Sequence, residues 1–205
     1  MLYRDKYRIP SARWVNWDYT RAAWYFVTVC TKDMERFFGE VVGGETKLSG
    51  TGKIVAEEWL KTSQIRPGVE LDEWQVMPNH FHGILHILDV ETARRAVSTK
   101  EMPPPAVSEK ETFHRNVSTR TPHRETPHRG VSTLKANSPG AIVGQFKAAC
   151  TRRIWAAGHS RFAWQTRFFD RLIRTPGELD KIRAYIRHNP LVWDREAGTP
   201  ANLEL

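Results

Sequence analysis

Cysteine is nearly absent. Cys30 and Cys150 are the full complement of a 205-residue chain, far apart and outside any metal-type pairing. That argues against a disulfide-stapled secreted domain. Cys150 falls on the apolar face of an expected helix and reads as a buried free thiol. Long apolar runs are missing as well: the longest, Ala22 to Cys30, suits a strand rather than a membrane span. The N-terminal run from Met1 to Arg8 is charged and lacks the apolar centre of a signal peptide, so the chain reads as cytosolic with no membrane partner. Acidic residues are in deficit, 23 Asp+Glu against 31 Lys+Arg, giving a formal charge of +8. A surplus of that size points to a polyanionic partner, nucleic acid before membrane, through phosphate neutralisation and counterion release. A basic but otherwise ordinary enzyme would carry the same charge.

What is present is a chain long enough for one domain with a good core, or two small ones. Its eight Trp imply a substantial interior, and some could serve as surfaces for base stacking. Residues 1–20 are basic and aromatic without a clear period and read as an arm. The remainder, 21–205, reads as a single domain interrupted over 91–137. Between Glu91 and Pro139 lie six of the twelve prolines and one aromatic residue, Phe113. A loose repeat runs through it: Ala96-Val97-Ser98-Thr99, Asn116-Val117-Ser118-Thr119 and Gly130-Val131-Ser132-Thr133, with Thr121-Pro122-His123-Arg124 echoed at Thr126-Pro127-His128-Arg129. With so little to bury, this stretch is expected to be a low-complexity insert. It carries nine basic and five acidic residues, and so +4 of the charge.

Elsewhere the periodicity is legible. Ala22 to Cys30 predicts a central strand and Arg36 to Val42 a second, closed by Gly43-Gly44. Ser49 to Gln64 has helical spacing, with Ile54, Val55, Trp59 and Leu60 on one face and Ser49 as cap. Glu70 to Met77 and His80 to Leu88, joined by Pro78-Asn79, predict an antiparallel hairpin. After Ser138, Val143, Phe146, Cys150 and Ile154 form a helical stripe. Phe162 to Arg174 mixes aromatic and β-branched residues and reads as a strand. Thr175, Pro176 and Glu178 then open a last helix, with Leu179, Ile182 and Ile186 as its stripe and Asn189-Pro190 as its end.

Two pairs of residues could carry chemistry. His80 and His82 lie two apart on a strand, so both imidazoles project from one face and can grip one ion. His86 shares that face but lies ~13 Å along the strand from His80 at ~3.3 Å per residue, a poor third ligand. Tyr185 and Asn189 stand i, i+4 on one helical face beside the apolar stripe. Each pair alone has an ordinary reading: core histidines, a packed tyrosine and a helix terminator. The cations Lys147, Arg153, Arg174 and Arg187 are candidates for phosphate contact, and Arg152, opposite its helix stripe, reads as solvated charge.

The pairs gain weight together. Ala23-Trp24-Tyr25-Phe26-Val27-Thr28-Val29-Cys30-Thr31 is followed by Val76-Met77-Pro78-Asn79-His80-Phe81-His82-Gly83-Ile84. Next come Gly140-Ala141-Ile142-Val143-Gly144-Gln145-Phe146-Lys147, then Trp164-Gln165 ahead of Phe169-Asp170 and Ile173-Arg174. Last are Tyr185-Ile186 and Asn189-Pro190. In this order, and over nearly everything outside 91–137, the chain resembles the REP-associated tyrosine transposases of the HUH single-strand transposase class.

The resemblance implies an α+β fold: a ferredoxin-like antiparallel sheet with helices packed on it, and a C-terminal helix carrying the nucleophile Tyr185. It implies His80, His82 and Asn189 as ligands of Mg²⁺ or Mn²⁺, although imidazole would also suit Zn²⁺. It further implies single-stranded, hairpin-forming palindromic DNA as substrate, cut through a 5′-phosphotyrosine intermediate by a monomer or homodimer. Asp170-Arg171 departs from the Asp-His that many relatives have there. Two other readings stay open at this point: a hairpin-DNA-binding protein of the same fold that does not cut, and an unrelated metal hydrolase using His80 and His82 with a water.

Overall fold

A computed structural model describes residues 17–19, 21–89, 92 and 137–193. The expected insert over 91–137 and the arm over 1–20 lie almost wholly outside the described residues. The ordered elements are β1 (Ala23–Cys30), a short 3₁₀ turn (Lys32–Met34), β2 (Gly39–Val42), β3 (Glu45–Leu48), α1 (Gly50–Ile65), β4 (Val69–Met77), β5 (His80–Ile87), α2 (Pro139–Ala156), β6 (Phe169–Ile173) and α3 (Pro176–Trp193). Among the described residues, no helix is long and apolar enough to cross a membrane.

Four strands form one sheet in the order β4-β5-β1-β6, and every neighbouring pair is antiparallel. With α1 between β1 and β4, and α2 between β5 and β6, this is a βαββαβ arrangement consistent with a ferredoxin-like α+β architecture. Strand alternation divides the side chains of β1 cleanly. Tyr25, Val27 and Val29 point to one face, where Phe81 and Leu85 of β5 join them under Val55 and Trp59 of α1 and Val143, Phe146, Cys150 and Ile154 of α2. Phe26 points to the other face, where Ile84 and Ile173 meet Ile182 and Ile186 of α3. Helices therefore cover both faces.

Gly83 shows how tightly the first face is packed. A Cβ there would stand 2.6 Å from the Trp59 ring and 2.8 Å from that of Phe81, so the bare backbone makes room for the indole. Gly83→Ala is expected to destabilise the fold by about 1–3 kcal/mol through overpacking. The check is a lowered denaturant midpoint with an unchanged slope.

Local signals held where their mechanism was local. The Ser49 side chain accepts from the Gly52 N–H at the start of α1, and Ser138 accepts from the Ala141 N–H at the start of α2, with Pro139 in the first turn. Thr175 accepts from the Glu178 N–H, as expected for a capping box.

Four readings need correction. Arg36 to Val42 is strand only from Gly39, and it pairs with β3 in a separate hairpin turned at Gly43 and Gly44, whose φ values of 61° and 79° suit glycine. The charged run Glu45–Leu48 carries no strand signature of its own, and pairing supplies what composition does not. Within α1, Leu60 does not share the buried face and is 46% exposed. The run from Phe162 is strand only over Phe169–Ile173. Phe162 is buried against Phe37 and Phe38, and Trp164 makes a single bridge to Thr31. Apolar character there serves a packed loop rather than a ladder. Finally, Asn189-Pro190 does not end the last helix, which continues to Trp193 with Pro190 inside it. Proline forfeits one helical hydrogen bond, but Pro190 and Trp193 are both buried, and that packing offsets the loss.

Candidate active site

The second face of the sheet carries the site. At the β4–β5 turn, Thr31 N donates to Asn79 O and Phe38 N to Pro78 O, which pins the start of β5. His80 and His82 follow and project together, with Nε2 atoms 3.0 Å apart. They are 0% and 2% exposed. The helix α3 lies alongside. Tyr185, Asn189 and Trp193, spaced i, i+4, i+8, run along the strand in the opposite direction, the first two meeting His82 and the last His80. The Tyr185 hydroxyl is 3.4 Å and the Asn189 Nδ2 3.5 Å from His82 Nε2. The Trp193 ring lies 5.6 Å from that of His80. Two pairs more than a hundred positions apart in sequence thus share one small volume.

Each imidazole has a second partner. His80 Nδ1 is 2.8 Å from Asn79 Oδ1, and His82 Nδ1 is 2.9 Å from Thr28 Oγ1. Phe26 stacks on His82 at 5.4 Å and meets Tyr185 edge-on at 6.1 Å, so aromatic packing helps to hold the nucleophile candidate. Burial holds both imidazoles neutral. The His80 value falls from 6.5 to about 3, and that of His82 falls well below 6.5 through burial and then the neighbouring His80.

Neutral imidazoles with converging Nε2 atoms are the form in which histidine binds metal. Two donors each about 2.1 Å from one ion and at right angles to each other stand about 3.0 Å apart, the octahedral preference of Mg²⁺ and Mn²⁺. Among the described residues no group of three or more His, Cys, Asp or Glu gathers. A half-turn of the Asn189 amide presents its oxygen in place of its nitrogen. The donor set of His80, His82 and Asn189 therefore suits a divalent ion with positions left for a substrate.

The docking of α3 is partly ionic. Arg183 grips Asp72 of β4 with two hydrogen bonds, of 2.9 and 2.5 Å, and Arg187 pairs with Glu73 at 2.7 Å. Hydrogen bonding from Arg183 is the largest cause holding the Asp72 carboxyl below its usual value. Arg171 of β6 donates to Glu178 in the first turn of α3 at 2.8 Å and so ties strand to helix.

Of the nominated cations, Arg174 is exposed at the β6–α3 junction and Arg187 exposed on α3. Both therefore belong to the elements that carry or border the site. Lys147 and Arg153 sit on α2, across the sheet. The Lys147 ammonium donates to the Gln165 and Thr166 carbonyls, and Arg153 bridges Glu57 and Glu58 of α1. His86 stacks on Trp24 at 4.2 Å, toward the other end of β5.

Sequence reasoning missed Thr28, Asn79, Trp193 and Arg36, whose guanidinium lies over the Trp193 ring at 5.7 Å. Thr28 could have been found from the antiparallel register that places it beside His82. Trp193 was legible as the next i+4 step once a helix passes through Pro190.

No family model matches the chain. An uncharacterized protein of Haemophilus influenzae is 27% identical over 188 residues, covering 91% of this chain and 90% of that one. Among solved structures, a REP-associated tyrosine transposase bound to a REP hairpin superposes with a TM-score of 0.43 at 17% identity, over 87% of this chain and 73% of that one. A candidate transposase from Deinococcus radiodurans gives 0.40 at 14% identity, over 85% and 94%. At these values neither structure fixes the chemistry of this chain.

Proposed function

We propose that the protein is a divalent-metal-dependent single-stranded DNA endonuclease and strand transferase that acts on hairpin-forming repeats, with Tyr185 as nucleophile. The observation that carries this reading is the convergence of the Tyr185 hydroxyl and the Asn189 amide on the Nε2 edge of His82, with His80 Nε2 beside it.

His80, His82 and Asn189 would hold the ion, Mg²⁺ or Mn²⁺. When bound, it would supply Lewis-acid neutralisation of the scissile phosphate. A phenol has a pKa near 10 and is a weak nucleophile at neutral pH, so it depends on such help. The Tyr185 oxygen gives up its proton to water and bonds to phosphorus as the P–O3′ bond breaks, and the departing O3′ takes a proton from water. The products are a free 3′-hydroxyl and a 5′-phosphotyrosine. One phosphoester replaces another, so rejoining needs no nucleotide cofactor. Phe26 and the ion pairs of α3 keep the phenol oriented while this happens. Arg174 would steady the strand backbone, Arg187 could do so only by exchanging Glu73 for a phosphate, and the half-exposed Phe169, opposite Thr28 in the register, offers a ring on which a flanking base can stack. Lys147 and Arg153, across the sheet, would reach only more distant phosphates. The formal charge of +8 favours that partner.

The test is to mix the purified full chain and Mn²⁺ with labelled hairpin oligonucleotides drawn from repeats near its own gene. On a denaturing gel, a slow, protease-sensitive band that a chelator abolishes is the expected result. Tight binding without adduct or cleavage would mean a DNA-binding protein. Cleavage that needs the ion but leaves no adduct would mean hydrolysis by a bound water.

A further inference from the structure

We infer that Asn79 and Thr28 set the tautomers of His80 and His82, so that Asn79 fixes one Nε2 as a lone-pair donor and the Thr28 hydroxyl switches the other. The cation these lone pairs face rests on the reading above; the tautomers themselves do not.

For His80 the assignment follows from the inventory of donors. The Asn79 Nδ2 donates to the Met34 carbonyl at 3.1 Å, which turns Oδ1 toward His80 Nδ1 at 2.8 Å. A carbonyl oxygen only accepts, so the proton must sit on Nδ1 and Nε2 must be bare. Asn79 is 2% exposed, and turning its amide over would set Oδ1 against the Met34 carbonyl oxygen, two acceptors face to face.

His82 differs because its partner is a hydroxyl, which donates or accepts as needed. Two bare Nε2 atoms 3.0 Å apart repel, and something positive has to lie between them. Without an ion that is a proton: His82 Nε2–H donates to His80 Nε2 while the Thr28 hydroxyl donates into His82 Nδ1. With an ion the proton must leave the shared edge. It moves to Nδ1, and the Thr28 hydroxyl turns to accept it. Neither ring has to move. One rotating hydroxyl therefore lets a buried site accept either a proton or a cation, and outer partners of this kind tune ligand basicity and orientation.

Thr28→Val tests this with nearly the same shape and the same suitability for a strand. With no acceptor at Nδ1, the loaded tautomer would bury an unpartnered N–H. His82 should stay protonated on Nε2, and Mn²⁺ affinity of the full chain should fall roughly 10- to 100-fold. Thr28→Ser should restore it. Long-range ¹H–¹⁵N correlation spectra report the tautomers directly, with Zn²⁺ as a diamagnetic probe. The expected spectra place the His80 proton on Nδ1 throughout. They move the His82 proton from Nε2 to Nδ1 on loading in the wild type and the serine variant only. A His80 proton on Nε2 in the free protein overturns the inference, as does a valine variant that binds Mn²⁺ like the wild type. If the wild type takes up no ion while His80 carries its proton on Nδ1, the metal site is lost and the Asn79 assignment stands.

Discussion

Tyr185→Phe is expected to lower adduct formation and strand cleavage by roughly 10⁴-fold or more while leaving hairpin affinity within about twofold. The effect is large because, among the described residues, Tyr185 supplies the hydroxyl beside His82 Nε2, and removing it removes the bond-forming atom. The cost to the fold should be small. The ring that packs edge-on against Phe26 is retained. Fluorescence anisotropy, a denaturing gel and a thermal melt separate the three quantities. Unimpaired adduct formation in the phenylalanine variant would refute the assignment of the nucleophile.

The second large effect is on stability in mild acid. An unfolded imidazole titrates near its ordinary 6.5, whereas burial holds His80 at about 3 and His82 in the same direction. Between those limits the unfolded chain binds more protons than the folded one, so stability is complete above about pH 6.5 and declines as the pH falls. The slope reaches about 1.4 kcal/mol per pH unit for each group, so that His80 alone removes about 3 kcal/mol by about pH 4.5. The carboxyl of Asp72, lowered from 3.8 by its bond to Arg183, adds its loss only at lower pH. The window above about pH 4.5 is thus governed by imidazole. Urea unfolding across that window should show the decline, and His80→Gln should lessen it, leaving the part due to His82. A wild type equally stable at both ends would mean that the imidazoles are not buried in neutral form. Divalent ions should stabilise the protein throughout that window and lose the effect only toward about pH 3, where protons begin to compete for the His80 lone pair in the folded state.

The histidine pair and the tyrosine–asparagine pair were legible because each depends on one local period, two residues on β5 and four on α3. Their meeting was not. Nothing in the spacing says that α3 crosses the second face at His82, since that follows from Ile182 and Ile186 seating on Phe26, Ile84 and Ile173. The same limit hid Trp193, whose place depends on tertiary packing that carries a helix through Pro190. It also hid Thr28, where a hydroxyl in a strand looks like any other β-branched residue until the register puts it beside His82. Charge was the least informative signal: Arg153, Arg183 and Arg187 all bind carboxylates of neighbouring elements, so a basic count overstates the cations left for a polyanion.

The two faces of the sheet are unequally secured. The side bearing α1 and α2 is sealed by a continuous aromatic and aliphatic interior around Trp59, Phe81 and Phe146. Among the described residues, the side bearing α3 is held by a few isoleucines with Phe26 and by three ion pairs that salt weakens. Cooperativity should follow that division. Amides of α3 should exchange with solvent through a partial opening that leaves the other helices closed, and more readily as ionic strength rises. The prospective nucleophile thus rides on the most detachable part of the molecule. The segment that must meet the substrate can lift and reseat without the rest of the chain coming apart.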